Sequence, residues 1–229
     1  MGVLSKSSMV DENYSEERKK IFSYYHPIEL NEKLAYEEKN RLMIEWWTKH
    51  INLFIKYKFE EKIIKEVSKD LSVMSLRDGA KEFLKNMKDR NIPVVILSAG
   101  IGNFIEQFLI NNNCNYDNIY IISNFIKFEN RVAVGIYEDI IHSLNKNDIS
   151  LLKKVSNVIK DRKNIILFGD TISDIKMARE EDRENALKIG FLEQNVEENK
   201  IYYEASFDVV CTDNTSYNYL SDKIKILKK

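Results

Sequence analysis

The rhythm of apolar positions changes at residue 74. Before it they recur at helical spacing. Ile21, Phe22 and Tyr25 among Glu and Lys predict a helix over 14–25, stopped at His26-Pro27 because the residue before proline is pushed out of the helical region. Leu42, Ile44, Trp46, Trp47, Ile51, Phe54 and Ile55 predict a long helix over 35–57, and a third follows over 59–69. From Met74 onward, amphipathic stretches alternate with short apolar runs. Helices are predicted over 77–90, 105–111, 150–160, 175–179 and 217–227. Strands are predicted over 92–97 (Pro93 near its start), 119–122, 165–168, 186–189 and 207–210. Such alternation implies an α/β fold, a parallel doubly wound sheet with right-handed crossovers. Alternating Phe125, Ile126, Phe128, Val132, Val134 and Ile136 add a hairpin excursion at about 125–137, turning near Glu129-Asn130. The expected organisation is a helical cap over 1–72 and an α/β core over 73–229.

Composition narrows the function classes. A chain of 229 residues with 44% hydrophobic and 31% charged content can bury a real core. Its net charge of −1 gives no footprint for nucleic acid or an acidic membrane surface. No apolar run approaches the roughly 18 residues of a membrane span, and no signal-peptide pattern opens the chain. Cys114 and Cys211 are too isolated for a close-spaced metal or redox pair and read as reduced, structural residues of a cytoplasmic protein. The expected partner is a small molecule; oligomeric state is left open.

Three stretches carry candidate chemistry. In Ile165-Ile166-Leu167-Phe168-Gly169-Asp170-Thr171-Ile172-Ser173-Asp174 an apolar strand runs into two carboxylates at its carboxyl end, where open α/β sheets bind ligands. Neighbouring carboxylates repel unless a cation lies between them, and hard oxygen ligands suit Mg²⁺. A helix N-cap with a first-turn acid accounts for the same residues. Leu97-Ser98-Ala99-Gly100 places small residues and a hydroxyl after a buried run. That suits either a phosphate oxygen or an ordinary strand-to-helix turn. Lys146, in Asn145-Lys146-Asn147-Asp148 ahead of a helix, is either a solvated charge or the counter-charge of a phosphate.

The order strand-Ser, then Lys, then strand-Gly-Asp-x-x-x-Asp resembles the haloacid dehalogenase superfamily of phosphohydrolases. The words LSAGIGNFIEQ, ISNF, IIHSLNKND, ILFGDTISDIKMA and LKIGFL are similar to its cytosolic pyrimidine 5′-nucleotidase family, as are YYHPIEL, YEEK and IEWWTKH in the helical part. The resemblance implies a parallel-sheet core with an N-terminal helical cap. It also implies Mg²⁺-dependent hydrolysis of pyrimidine nucleoside 5′-monophosphates through an aspartyl-phosphate. Ser98 and the Ala99 amide would hold the phosphoryl group, Lys146 would balance its charge, Asp170 would ligate Mg²⁺, and Asp174 would support that metal site. Glu29 would read the base and Trp47 would stack on it. His50 stands where the family often has a small hydroxyl residue, a departure that bears on base preference, including 7-methylguanosine monophosphate.

One expected motif is absent. The family's first motif, a strand followed by Asp-x-Asp, supplies the nucleophile and the general acid/base, and no Asp-x-Asp occurs in the 229 residues. In that fold the motif's strand lies between the strands ending at Ser98 and Asp170. Three explanations follow: the sequence is a piece of a longer protein, the protein binds nucleotide without turning it over, or another acid such as Asp11 substitutes. A response-regulator-like signalling domain shares the acids and the lysine, but the long helical opening argues against it.

Overall fold

The computed structural model describes residue 4 and residues 11–31, 33–70, 72, 74–212 and 217, with residue 149 described by its backbone alone. Its helices are α1 (Glu12–Leu30), α2 (Tyr36–Lys56), α3 (Glu61–Val67), α4 (Ala80–Asp89), α5 (Gly102–Asn111), α6 (Ile149–Lys153), α7 (Ser156–Ile159) and α8 (Val196–Ser206). The strands are β1 (Val94–Ile101), β2 (Ile119–Asn124), β3 (Ile126–Glu129), β4 (Val132–Ile136), β5 (Ile165–Gly169), β6 (Ala186–Phe191) and β7 (Val209–Cys211). Two compact units interleave along the sequence. Met1–Ser75, Ile96–Asn115 and Ile121–Asn145 make the first; Leu76–Val95, Tyr116–Tyr120 and Lys146–Lys229 make the second.

In the first unit, α1 begins at Asp11, whose carboxylate accepts from the amides of Asn13 (2.8 Å) and Tyr14 (3.3 Å). Helix capping therefore accounts for Asp11. The expected stop at His26 is not observed: α1 runs through Pro27 to Leu30. Pro27 sits in the last turn, where its missing N–H removes a single helical bond. The stacked Phe22 and His26 rings and the Tyr25 hydroxyl, which donates to Glu45 at 2.5 Å, hold that turn. The apolar stripe of α2 packs Trp47, Leu53 and Phe54 with Tyr14, Phe59, Ile64 and Phe104 into the unit's core. Strands β3 and β4 form an antiparallel hairpin from Ile126↔Ile136 to Glu129↔Val132. Its turn is Asn130-Arg131, both with positive φ (49° and 66°), which suits strand twist.

The second unit holds a parallel sheet in the order β5-β6-β7, with Ile165 opposite Ala186 and Gly169 opposite Gly190. The described strands pair as β1-β2, β3-β4 and β5-β6-β7, an α/β arrangement without a strand joining β1 to β5, as the absent Asp-x-Asp strand led the sequence reading to expect. The helix expected over 150–160 is two short helices, α6 and α7, and the break turns Val155 inward to 3% exposure. In place of a helix over 175–179 there are two 3₁₀ turns, Ile172–Met177 and Glu180–Asn185, because Ala178 and Arg179 are extended. Helix α8 was not expected, since its apolar residues are split between faces: Tyr203 is buried while Ile201 and Tyr202 are exposed. The expected helix over 217–227 lies outside the described residues except for Tyr217. No described helix is long and apolar enough to cross a membrane.

Candidate active site

The second unit brings Lys146, Asp170 and Asp174 together. Strand β5 ends at Gly169, and Thr171 opens the 3₁₀ turn that carries Asp174 back towards the strand end. One Asp174 carboxylate oxygen accepts from the amides of Asp170 and Thr171, both at 3.1 Å. The other accepts from the Lys146 ammonium at 2.8 Å. Asp174 is thus the capping acid of its turn and the partner of a half-buried lysine at once. Gly169 makes this approach possible, because a β-carbon there would lie 2.6 Å from the β-carbon of Asp174. From α8, the Tyr203 hydroxyl donates to the Asp170 carbonyl at 2.6 Å, so the Asp170 backbone is held at both its N–H and its C=O.

The two carboxyls titrate apart. Burial alone would push Asp174 up, but the Lys146 charge and hydrogen bond, with the Thr171 amide, carry it below the usual carboxylate range. Asp170 is held above that range, first by desolvation and then by the neighbouring Asp174 carboxylate, which Lys146 offsets only in part. A divalent cation would relieve that strain on Asp170. Mg²⁺ characteristically binds through one or two carboxylates and substrate oxygens, so the residues present fit it. Asp174 spends both oxygens on three donors, so Asp170 would be the ligand and Asp174 its support. Among the described residues no group of three or more His, Cys, Asp or Glu side chains could hold a metal.

The first unit carries the other predicted residues. Ser98 lies inside β1, which continues to Ile101, four residues beyond the expected end. Its hydroxyl accepts from the Gly100 amide (3.0 Å), and the Ser123 hydroxyl donates to the Gly100 carbonyl (2.9 Å). Ala99 offers its carbonyl to the Asn124 carboxamide (2.9 Å). Glu29 is half-buried near the end of α1, where its carbonyl accepts from Lys39 (3.0 Å). The two tryptophans face different ways, as adjacent helical residues must. Trp47, expected as the stacking wall, packs in the apolar core at 9% exposure. Trp46 is half-buried and stacks on Tyr25 at 5.9 Å and 11°. His50 is 2% exposed, with neither ring nitrogen hydrogen-bonded among the described residues, and burial foremost, with the Arg18 charge, lowers its pKa to about 3. Sequence reading assigned no role to Asn124, Asn145 or Tyr203. Only Asn124, a polar residue closing an apolar strand, carried a local signal.

Comparison with known proteins places this geometry. Residues 1–228 match the family model described as pyrimidine 5′-nucleotidase (UMPH-1). The 7-methylguanosine phosphate-specific 5′-nucleotidase B of Xenopus laevis is 35% identical over 212 residues, covering 91% of this chain and 72% of that one. The human 7-methylguanosine phosphate-specific 5′-nucleotidase is 35% identical over 211 residues, covering 91% and 70%. Among solved structures, cytosolic 5′-nucleotidase IIIB bound to cytidine superposes with a TM-score of 0.84 at 29% identity, over 99% of this chain and 77% of that one. A probable phosphoserine phosphatase from Vibrio cholerae shares the fold alone, with a TM-score of 0.57 at 17% identity over 86% of this chain and 52% of that one. With a family match along almost its whole length and a part-buried Lys–Asp pair beside a second aspartate, the chain belongs to the pyrimidine 5′-nucleotidase (UMPH-1) family and is a 5′-nucleotidase of the haloacid dehalogenase type.

Proposed function

We propose that this nucleotidase hydrolyses pyrimidine nucleoside 5′-monophosphates in the cytosol, with Mg²⁺ and through an aspartyl-phosphate. The Lys146–Asp174 pair beside Asp170 carries the reading. Asp174 would fix the Lys146 ammonium so that it neutralises phosphoryl charge without reorganising during the reaction. Bound Mg²⁺ would supply Lewis-acid stabilisation of the phosphoryl oxygens, with Asp170 as its protein ligand. Ser98 and the Ala99 amide would hydrogen-bond a phosphoryl oxygen. Glu29 would accept from the exocyclic amine of cytosine. The cytidine bound to the similar IIIB enzyme supports a pyrimidine. The names of the frog and human relatives make 7-methylguanosine monophosphate the competing substrate.

An aspartyl-phosphate needs an attacking carboxylate, and the 229 residues hold no Asp-x-Asp, so for them as they stand the second reading is nucleotide binding without turnover. The deciding assay incubates the chain with Mg²⁺ and the monophosphate of cytidine, uridine or 7-methylguanosine, and measures phosphate release. Hydrolysis should require Mg²⁺, fail in Asp170→Asn and be fastest with a pyrimidine. Calorimetric binding of cytidine monophosphate with no release would establish the second reading. Faster release from 7-methylguanosine monophosphate would overturn the pyrimidine assignment. In an active enzyme, Glu29→Ala should raise KM for cytidine monophosphate far more than for a small aryl phosphate. Equal changes would assign Glu29 to folding.

A further inference from the structure

Asn124 closes β2 and is 2% exposed. Both ends of its carboxamide are committed. The amide nitrogen donates to the carbonyls of Ala99 (2.9 Å) and Ile141 (2.8 Å), and the amide oxygen accepts from the Ile141 N–H (2.8 Å). One side chain therefore ties the Ser98-Ala99 segment of β1 to the irregular segment after the hairpin. That segment is locked further along. The Asn145 oxygen accepts from the His142 N–H (2.8 Å), its amide nitrogen donates to the Ile140 carbonyl (2.8 Å), and His142 Nδ1 accepts from the Leu144 N–H (3.3 Å). Lys146 is the next residue.

Neither helix nor strand fixes Ile140–Asn145, so these side-chain bonds set its path. We propose that Asn124 is a positioning residue for phosphoryl transfer, holding the backbone of Ser98 and Ala99 in register with the irregular segment Ile140–Asn145. The inference rests on the nucleotidase reading above. Only a carboxamide of this length offers two donors and an acceptor here. An aspartate would set its charge against two carbonyl oxygens, and a serine could not span them.

The experiment compares Asn124→Ser and Asn124→Asp with the unaltered chain, by turnover of the best nucleotide substrate and by amide hydrogen exchange. Turnover should fall about a hundredfold with KM little changed, as expected for groups displaced by an ångström or so. Exchange should quicken at Ile141 and Leu144 while α2 and β5 stay protected. Near-normal turnover in both variants overturns the proposal. So does faster exchange throughout the chain, which would make Asn124 a general stabiliser. If the unaltered chain releases no phosphate, the nucleotidase reading fails, and exchange alone decides: unchanged protection at Ile141 and Leu144 removes Asn124 from any positioning role, while local exposure there upholds the tie.

Discussion

Two strand ends in this protein look alike as sequence and are held by different forces. β1 ends in Ser98-Ala99-Gly100-Ile101 and β5 at Gly169, just before Asp170, each an apolar run meeting a glycine. At β1 the backbone is secured by neutral groups: Ser98 and Ser123 on Gly100, and Asn124 on Ala99. At β5 it is secured by charge: the Asp174 carboxylate takes two amides and an ammonium. Neutral hydrogen bonds fix direction at modest net energy, about 1 kcal/mol each, whereas a buried charge pair is costly to break from one side. The first arrangement suits a cradle for a group that arrives already charged. The second suits a preset field.

Breaking the charged end should have the largest effect. Lys146→Ala leaves Asp174, whose side chain is 3% exposed, without its counter-ion. Stability should fall by about 3 kcal/mol, the usual cost of orphaning a buried ion, and turnover by at least about a hundredfold. Urea unfolding and phosphate release measure the two separately. An unchanged unfolding midpoint would mean that Asp174 is held by its amide donors alone.

Gly169→Ala attacks the same end by volume. The new methyl would meet the Asp174 β-carbon at 2.6 Å, so the turn must move and the carboxylate must leave its amides. A loss of about 2 kcal/mol is expected, typical of overpacking at a rigid contact. Gly102→Ala is the matched change beyond β1; its methyl would strike the Phe125 ring at 2.5 Å. It should disturb packing and leave the Asp174 bonds intact, which the Asp170 and Thr171 amide signals in NMR would report.

Much of this contrast was legible beforehand. The strand into Gly169-Asp170 and the later Asp174 could be read because parallel strands are continuous apolar runs and carboxylates at their ends are conspicuous. The capping reading of Asp174 is seen in its bonds to the Asp170 and Thr171 amides, while its other oxygen goes to Lys146. What could not be read is long-range. Asn124 meets Ile141 17 residues away, and Tyr203 meets Asp170 33 residues away. No local pattern encodes such pairs. Likewise, periodicity places Trp46 and Trp47 on one helix but does not say which faces the core. β1 outran its predicted end because Ser98, Ala99 and Gly100 lack the strand propensity that marks Val94 to Leu97, and pairing carried them.

Acid should separate the two sides by pH. His142, in the loop tied to β1 by Asn124, is buried, and desolvation lowers its pKa from 6.5 to about 4. Above pH 6.5 both folded and unfolded forms are neutral; between there and about 4 only the unfolded form takes the proton. Stability should therefore fall by about 1.4 kcal/mol per pH unit over that window, and the same sign applies to His50. Asp174 is shifted down, so its contribution persists above the ordinary carboxylate value of 3.8 and is lost only as pH falls through its lower folded value. Asp170, shifted up, has the opposite sign and favours the folded form on protonation. His142→Gln should flatten the urea-midpoint profile between the two histidine values. An unaltered slope would show that His142 is protonated in the folded protein.

The smallest effect belongs to the neutral end. Ser98→Ala removes the acceptor of the Gly100 N–H, a single part-buried bond of 3.0 Å. About 1 kcal/mol should be lost, and less if water replaces the hydroxyl. The methyl of alanine clashes with nothing, since serine already fills that volume. Phosphate binding should weaken more than stability does, because the hydroxyl that organises Gly100 is also the one available to a phosphoryl oxygen. Calorimetry with inorganic phosphate and Mg²⁺, set against the urea midpoint, measures both. If Ser98→Ala costs as much stability as Lys146→Ala, the neutral end is as strongly held as the charged one, and the difference between cradle and preset field disappears.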